Sequence, residues 1–197
     1  MTLSSTYQTT ASVSLDDAAR LLASDSALAS FSLSDARYVL SYMRARRVNQ
    51  DTVLIREGQQ ARSDFMLLIL QGDVSIESEM PGTRESLMMN IVGAGHIIGE
   101  MSMFDDGPRA ATCTAATELA VAVLSRTALK RLLVERPEVG VRFMLAMSKR
   151  LSDRLREANQ KLRTYVALTN ALQQEVHALL DGQSPASYSR SKAKTRV

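Results

Sequence analysis

The 197 residues contain one cysteine, no tryptophan, two histidines and four prolines. A single thiol, Cys113, excludes an intramolecular disulfide and points to a reducing compartment, with the cytoplasm expected. Nowhere do roughly eighteen apolar residues run together, so no membrane-spanning helix is expected. Residues 1–13 are polar and rich in Ser and Thr, without the basic start and apolar stretch of a signal peptide. His96 and His177 lie far apart and read as structural or solvated rather than as metal or haem ligands, and one cysteine cannot hold an iron–sulfur cluster. No Ser/His/Asp or Cys/His arrangement, no P-loop and no paired-carboxylate motif is present, so no enzyme is expected. Neither sign of charge dominates: 24 basic against 21 acidic side chains leave a formal +3, too little to argue nucleic-acid binding from the total.

What is present falls into two patterns, strand-like in the middle and helical at both ends. Residues 1–13 read as a flexible lead. Ser14 reads as an N-cap, with Asp16 and Asp17 in the first turn and Leu15, Ala18, Leu21 and Leu22 at helical spacing. Ser32 or Ser34 caps a second helix carrying Leu33, Ala36, Val39, Leu40 and Met43. Arg44, Arg46 and Arg47 then fall near its C-terminal end, where cations suit the helix dipole, and they read as a solvated helix end rather than a nucleic-acid patch.

From about Arg47 the period is that of strands. Residues 53–55 form a short one. Residues 65–70 are a continuous apolar run, suited to a strand buried on both faces. Residues 74–77 alternate, residues 80–83 form a hairpin loop, and residues 87–92 return as a strand in which Met88 and Met89 read as core. Residues 93–95 turn the chain into 96–98, which delivers Gly99, and two more strands are expected at 111–117 and 119–124. Many short strands with Gly-rich turns argue for a barrel or a double-sheet roll. Near Arg126 a short amphipathic helix carries Ala128, Leu129, Leu132 and Leu133, and it stops at Pro137, which opens the next.

The segment richest in chemistry is 99–112, Gly-Glu-Met-Ser-Met-Phe-Asp-Asp-Gly-Pro-Arg-Ala-Ala-Thr. Gly99 tolerates positive φ and close approach of a backbone. Gly107 and Pro108 are turn residues just before Arg109, whose planar charged fork suits a phosphate. Ala110 and Ala111 are small enough to leave their N–H groups facing an oxyanion. Glu100 would repel a phosphate and needs a donor of its own, such as a sugar hydroxyl. The window Gly99-Glu100-Met101 … Pro108-Arg109-Ala110-Ala111-Thr112 resembles the phosphate-binding cassette of the cyclic nucleotide-binding domain family. Ile55-Arg56-Glu57-Gly58 and the stretch from Leu68 to Val74 are similar to that family as well, so the resemblance covers roughly residues 30–155. It implies an eight-stranded antiparallel β-roll, jelly-roll-like and flanked by helices. It also implies a ligand rather than a cofactor, with Arg109 on the exocyclic phosphate and Glu100 on the ribose 2′-hydroxyl. Backbone groups of Gly99, Met101 and Ala110 complete the cradle, and Thr112 occupies a motif position. Relatives that prefer cyclic GMP often carry Thr or Ser after the Arg; Ala110 leans towards cyclic AMP.

From Val141 to Asp181 there is neither proline nor glycine, and Gly182 and Pro185 supply stop signals. At ~1.5 Å per residue the segment is about 60 Å long. Met144, Ser148, Leu151, Leu155, Ala158, Leu162, Tyr165, Thr169, Leu172, Val176 and Leu179 step alternately by four and three, a heptad seam that predicts a parallel homodimer. In the resembled family a residue of this helix covers the purine. Arg154 either stacks on the base through its guanidinium plane or is a flanking coiled-coil charge. The expected organisation is a flexible lead at 1–13, the β-roll with its flanking helices at 14–136, the dimer helix at 137–182 and a disordered basic tail at 183–197.

Well-known family members continue into a winged helix-turn-helix, and the sixteen residues after Asp181 hold no recognition helix, so DNA is not an expected partner. The leading expectation is a cyclic nucleotide-binding regulatory protein that signals to a protein effector, not identified by the sequence, through its dimer helix. One alternative is a DNA-associated regulator acting through the basic tail, or a truncated form of a transcription factor. The other is a sensor of a different ligand, such as a cyclic dinucleotide.

Overall fold

A computed structural model describes residues 13–60, 65–79, 86–105 and 107–182. The lead expected to be flexible, up to residue 12, the hairpin loop expected at 80–83 and the tail expected to be disordered lie outside these. The chain divides into two compact units, one ending at Arg150 and one beginning at Leu151.

In the first unit, α1 (Leu15–Leu22) and α2 (Leu33–Ser41) each start on a serine cap. Ser14 Oγ accepts from the Asp17 amide and Ser32 Oγ from the Asp35 amide, both at 3.1 Å, so Ser32 rather than Ser34 is the second cap. Eight strands follow: β1 (Arg44–Val48), β2 (Val53–Ile55), β3 (Phe65–Gln71), β4 (Val74–Glu79), β5 (Ser86–Val92), β6 (Ile97–Ile98), β7 (Thr112–Ala115) and β8 (Leu119–Ser125). They pair antiparallel in two four-stranded sheets, ordered β1-β8-β3-β6 and β2-β7-β4-β5. This is the two-sheet form of the alternatives that the turns left open. Helix α3 (Arg126–Glu135) starts on Ser125, whose Oγ accepts from the Ala128 amide at 3.2 Å. Helix α4 is Pro137–Gly182.

The apolar run of β3 has the two buried faces that its sequence predicts, because period-2 geometry turns its residues alternately to two cores. Met66, Leu68 and Leu70 join α1, α2, α3 and the first turns of α4 in one cluster, with Phe143 and Met147 fully buried there. Leu67 and Ile69 face the interior of the roll with Ile55, Val74, Cys113 and Val121. Arg142 bridges α4 to α2: its Nε and Nη2 donate to the two carboxylate oxygens of Asp35, each at 2.8 Å.

Two expectations fail on the sheets. Arg44, Arg46 and Arg47 do not end a helix; α2 stops at Ser41 and the arginines lie on β1, paired with β8. Only Ala45 of that stretch is buried, too weak an apolar signal to announce a strand, so the pairing with β8 decides it. Met88 and Met89 are 58% and 63% exposed rather than core, because β5 is an edge strand.

The second unit is the remainder of α4. Its heptad residues Leu155, Leu162, Tyr165, Leu172, Val176 and Leu179 are exposed. No helix among the described residues is long and apolar enough to cross a membrane.

Candidate functional site

Strand β6 delivers Gly99 in the left-handed region, at φ 72°. A side chain is excluded there twice over. The backbone region favours glycine, and an added Cβ would stand 2.7 Å from Ile55 Cδ1, 3.0 Å from Arg109 Nη1 and 3.2 Å from the Phe65 carbonyl oxygen. Glu100 follows, 2% exposed, and leads into a single 3-10 turn over Met101–Met103. The Met103 amide donates to the Glu100 carbonyl at 2.9 Å and Ser102 Oγ donates to the Gly99 carbonyl at 3.2 Å. Arg126, at the start of α3, holds the far end of this turn: its Nη2 donates to the carbonyls of Ser102 and Asp105.

Arg109 is 7% exposed, which is unusual for a permanent charge and requires compensation. Nη1 donates to the carbonyls of Gly99 at 2.9 Å and Phe65 at 3.1 Å. The guanidinium carbon lies 4.7 Å from the centroid of the Phe65 ring, a cation–π distance. The backbone is pinned too: the Arg109 amide donates to Gln59 at 3.1 Å and its carbonyl accepts from Gly58 at 2.9 Å. Thr112 Oγ1 accepts from the Glu57 amide at 3.0 Å. Glu57 in turn accepts from Ser78 Oγ at 3.0 Å and from the Glu79 amide at 2.9 Å. The turn after β2 thus ties the Arg109 segment to β4 by hydrogen bonds at both ends.

The fold sets Gly99, Glu100, Met101, Arg109 and Ala110 on the segment between β6 and β7, and Thr112 opens β7. Glu100 and Arg109 are buried, while Met101 and Ala110 are exposed. Arg154 is exposed on α4, in the second unit. Sequence reasoning missed Phe65, whose ring and carbonyl both meet Arg109, and Arg126, which braces the turn. Phe65 was hidden inside an apolar run that core packing alone accounts for, and Arg126 resembles any helix-start cation. Chemically, a buried guanidinium beside a glycine backbone suits a phosphate, and a buried carboxylate acceptor suits a hydroxyl donor.

The family described as "Cyclic nucleotide-binding domain" matches residues 45–136. A solved cyclic nucleotide-binding domain from Methylobacillus flagellatus KT is 35% identical, with a TM-score of 0.65 over 75% of this chain and 81% of that one. The catabolite activator protein of Thermus thermophilus is 25% identical, with a TM-score of 0.59 over 68% of this chain and 59% of that one. Among curated proteins, the CRP-like cAMP-activated global transcriptional regulator of Mycobacterium tuberculosis (strain CDC 1551 / Oshkosh) is 34% identical over 88 residues, 45% of this chain. The match spans 39% of that relative's length. The chain belongs to the cyclic nucleotide-binding domain family.

Proposed function

We propose that this chain is a regulatory cyclic-nucleotide sensor, with cyclic AMP preferred over cyclic GMP. Arg109 takes the exocyclic phosphate and Glu100 the ribose 2′-hydroxyl. Backbone groups of Gly99, Met101 and Ala110 line the phosphate, and Thr112 holds the turn that supports Arg109. The observation that carries this reading is the burial of a guanidinium and a carboxylate on one glycine-built segment within the matched region. Two points favour cyclic AMP. Ala110 follows the Arg where a hydroxyl residue would suit cyclic GMP, and the M. tuberculosis relative is named as cAMP-activated. Arg154 is the candidate cover for the purine.

Output passes through α4. Its heptad seam meets a second copy of the chain in a parallel homodimer, and nucleotide binding shifts the helix between two arrangements that a protein effector reads. The test is calorimetric titration of the purified chain with cyclic AMP and, separately, cyclic GMP. Saturable binding of cyclic AMP is expected. Arg109→Ala and Glu100→Ala should each weaken it about tenfold or more, the loss of one charge-assisted contact. Absence of heat with both nucleotides, or binding unaltered by both substitutions, overturns the proposal.

A further inference from the structure

A second cluster of arginines lines a cavity that none of residues 99–112 enters. The pocket has a volume of about 440 Å³, and its walls include Arg44 and Arg46 of β1, Arg131 and Thr127 of α3, Tyr42 and Phe65. The sheet register explains the cluster. Arg44 pairs with Val123 and Arg46 with Val121, so alternation sends both arginines to one face while Ala45 between them is buried. Two residues of strand separate them by about 7 Å, close enough for like charges to repel. Neither side chain makes a hydrogen bond or ion pair with any described residue. Arg131 differs: its Nε donates to Glu135 at 3.2 Å and its guanidinium lies 5.8 Å from the Tyr42 ring centroid. The pocket is therefore lined by two uncompensated positive charges and by two aromatic side chains.

We propose that this pocket binds a small phosphate monoester carrying a planar group. A phosphate monoester is close to a dianion at neutral pH, which matches the two unpaired guanidinia and removes their mutual repulsion. Guanidinium forks suit its oxygens in bidentate geometry, and the Thr127 hydroxyl adds a neutral donor. Tyr42 and Phe65 offer apolar ring surface for the organic part. The volume falls within the range of small-ligand sites. Glu100 and Arg109 do not line this pocket, although Phe65 does and also meets Arg109.

The test is an amide NMR titration of the ¹⁵N-labelled full chain with phenyl phosphate, an aromatic monoester with no ribose. Saturable shifts are expected at the amides of residues 42–46 and 123–128. The doubly substituted Arg44→Ala/Arg46→Ala chain should bind about tenfold or more weakly, the loss of one charge-assisted contact or more. Both positions are exposed, so this variant is expected to fold, which circular dichroism checks. Inorganic phosphate should bind the native chain more weakly than phenyl phosphate. Shifts confined to residues 99–112, equal affinity in the double variant, equal affinity for inorganic phosphate, or no saturation each overturn the proposal. The arginines would then serve only as charged guards of the β1 edge.

Discussion

Arg109 Nη1 donates to the Gly99 carbonyl at 2.9 Å, and a Cβ on Gly99 would stand 3.0 Å from that same nitrogen. The glycine therefore both receives the arginine and makes room for it. Gly99→Ala adds a left-handed backbone cost of about 1–2 kcal/mol before any clash is relieved. The closest contact is Ile55 Cδ1 at 2.7 Å, so that packed side chain must shift, and Arg109 Nη1 at 3.0 Å must give as well. Gly99→Ala should lower both the melting temperature and the affinity for cyclic AMP, the latter by about tenfold. Calorimetry beside a thermal melt checks this. A variant that melts lower yet binds as well as the native chain would separate Gly99 from the site.

The Asp35–Arg142 bridge sets a pH dependence. Hydrogen bonds from Arg142 lead in holding the Asp35 carboxyl below its ordinary value, against the opposing effect of burial, with Ser32 adding a smaller contribution in the same direction. A carboxyl depressed in the folded state contributes stability above its unfolded pKa, about 4, and loses it as pH falls through the folded value. Urea unfolding at a series of pH values should show this acid loss in the native chain and a flatter profile in Asp35→Asn. Since half of the Arg142 side chain is open to solvent, the effect should be modest. Identical profiles would remove the bridge from the account of stability.

Phe143 carries the docking of α4 within the first unit. It is fully buried, and its ring meets Phe31 edge-on at 5.9 Å and 64°. Phe143→Ala should cost about 3–5 kcal/mol, in the range for a large aromatic deleted from a closed core. The urea midpoint measures it. A loss well under that range would mean that the cluster collapses onto the gap.

The dimer proposal makes a hydrodynamic prediction. Burying each leucine of the α4 seam against a second copy contributes roughly 1.5–3 kcal/mol. Leu162→Asp with Leu172→Asp should then weaken self-association by ~10²-fold or more. Sedimentation equilibrium should find the native chain dimeric and the variant largely monomeric. An unchanged association constant would place the interface elsewhere.

How far the sequence announced all this depends on how local each signal is. Ser14, the apolar run of β3 and Pro137 are local signals with one physical meaning each, and the corresponding elements form where they predict. The 99–112 segment was legible for the same reason, since glycine, acid, turn and arginine follow one another along the chain. Arg44 to Arg47 misled because charge near a helix end and charge along an edge strand look alike until β8 pairs with them. Met88 and Met89 misled because apolar character does not reveal that a strand has a neighbour on one side only. The contact of Phe65 with Arg109 joins residues far apart in sequence, and Phe65 already had a sufficient reason to be apolar.

Strand β3 has a mechanical consequence. One end of it gives its carbonyl and ring to Arg109, while Met66, Leu68 and Leu70 press into the cluster that holds Phe143 and Met147. Close-packed on both sides, such a strand has no slack in which to absorb a small displacement. If Arg109 takes the phosphate as proposed, a pull on its guanidinium acts on a strand against which the first turns of α4 also pack. On the proposed reading, the residue that holds the phosphate and the first turns of α4 would share one rigid member within the first unit, with no relay of side chains needed between them.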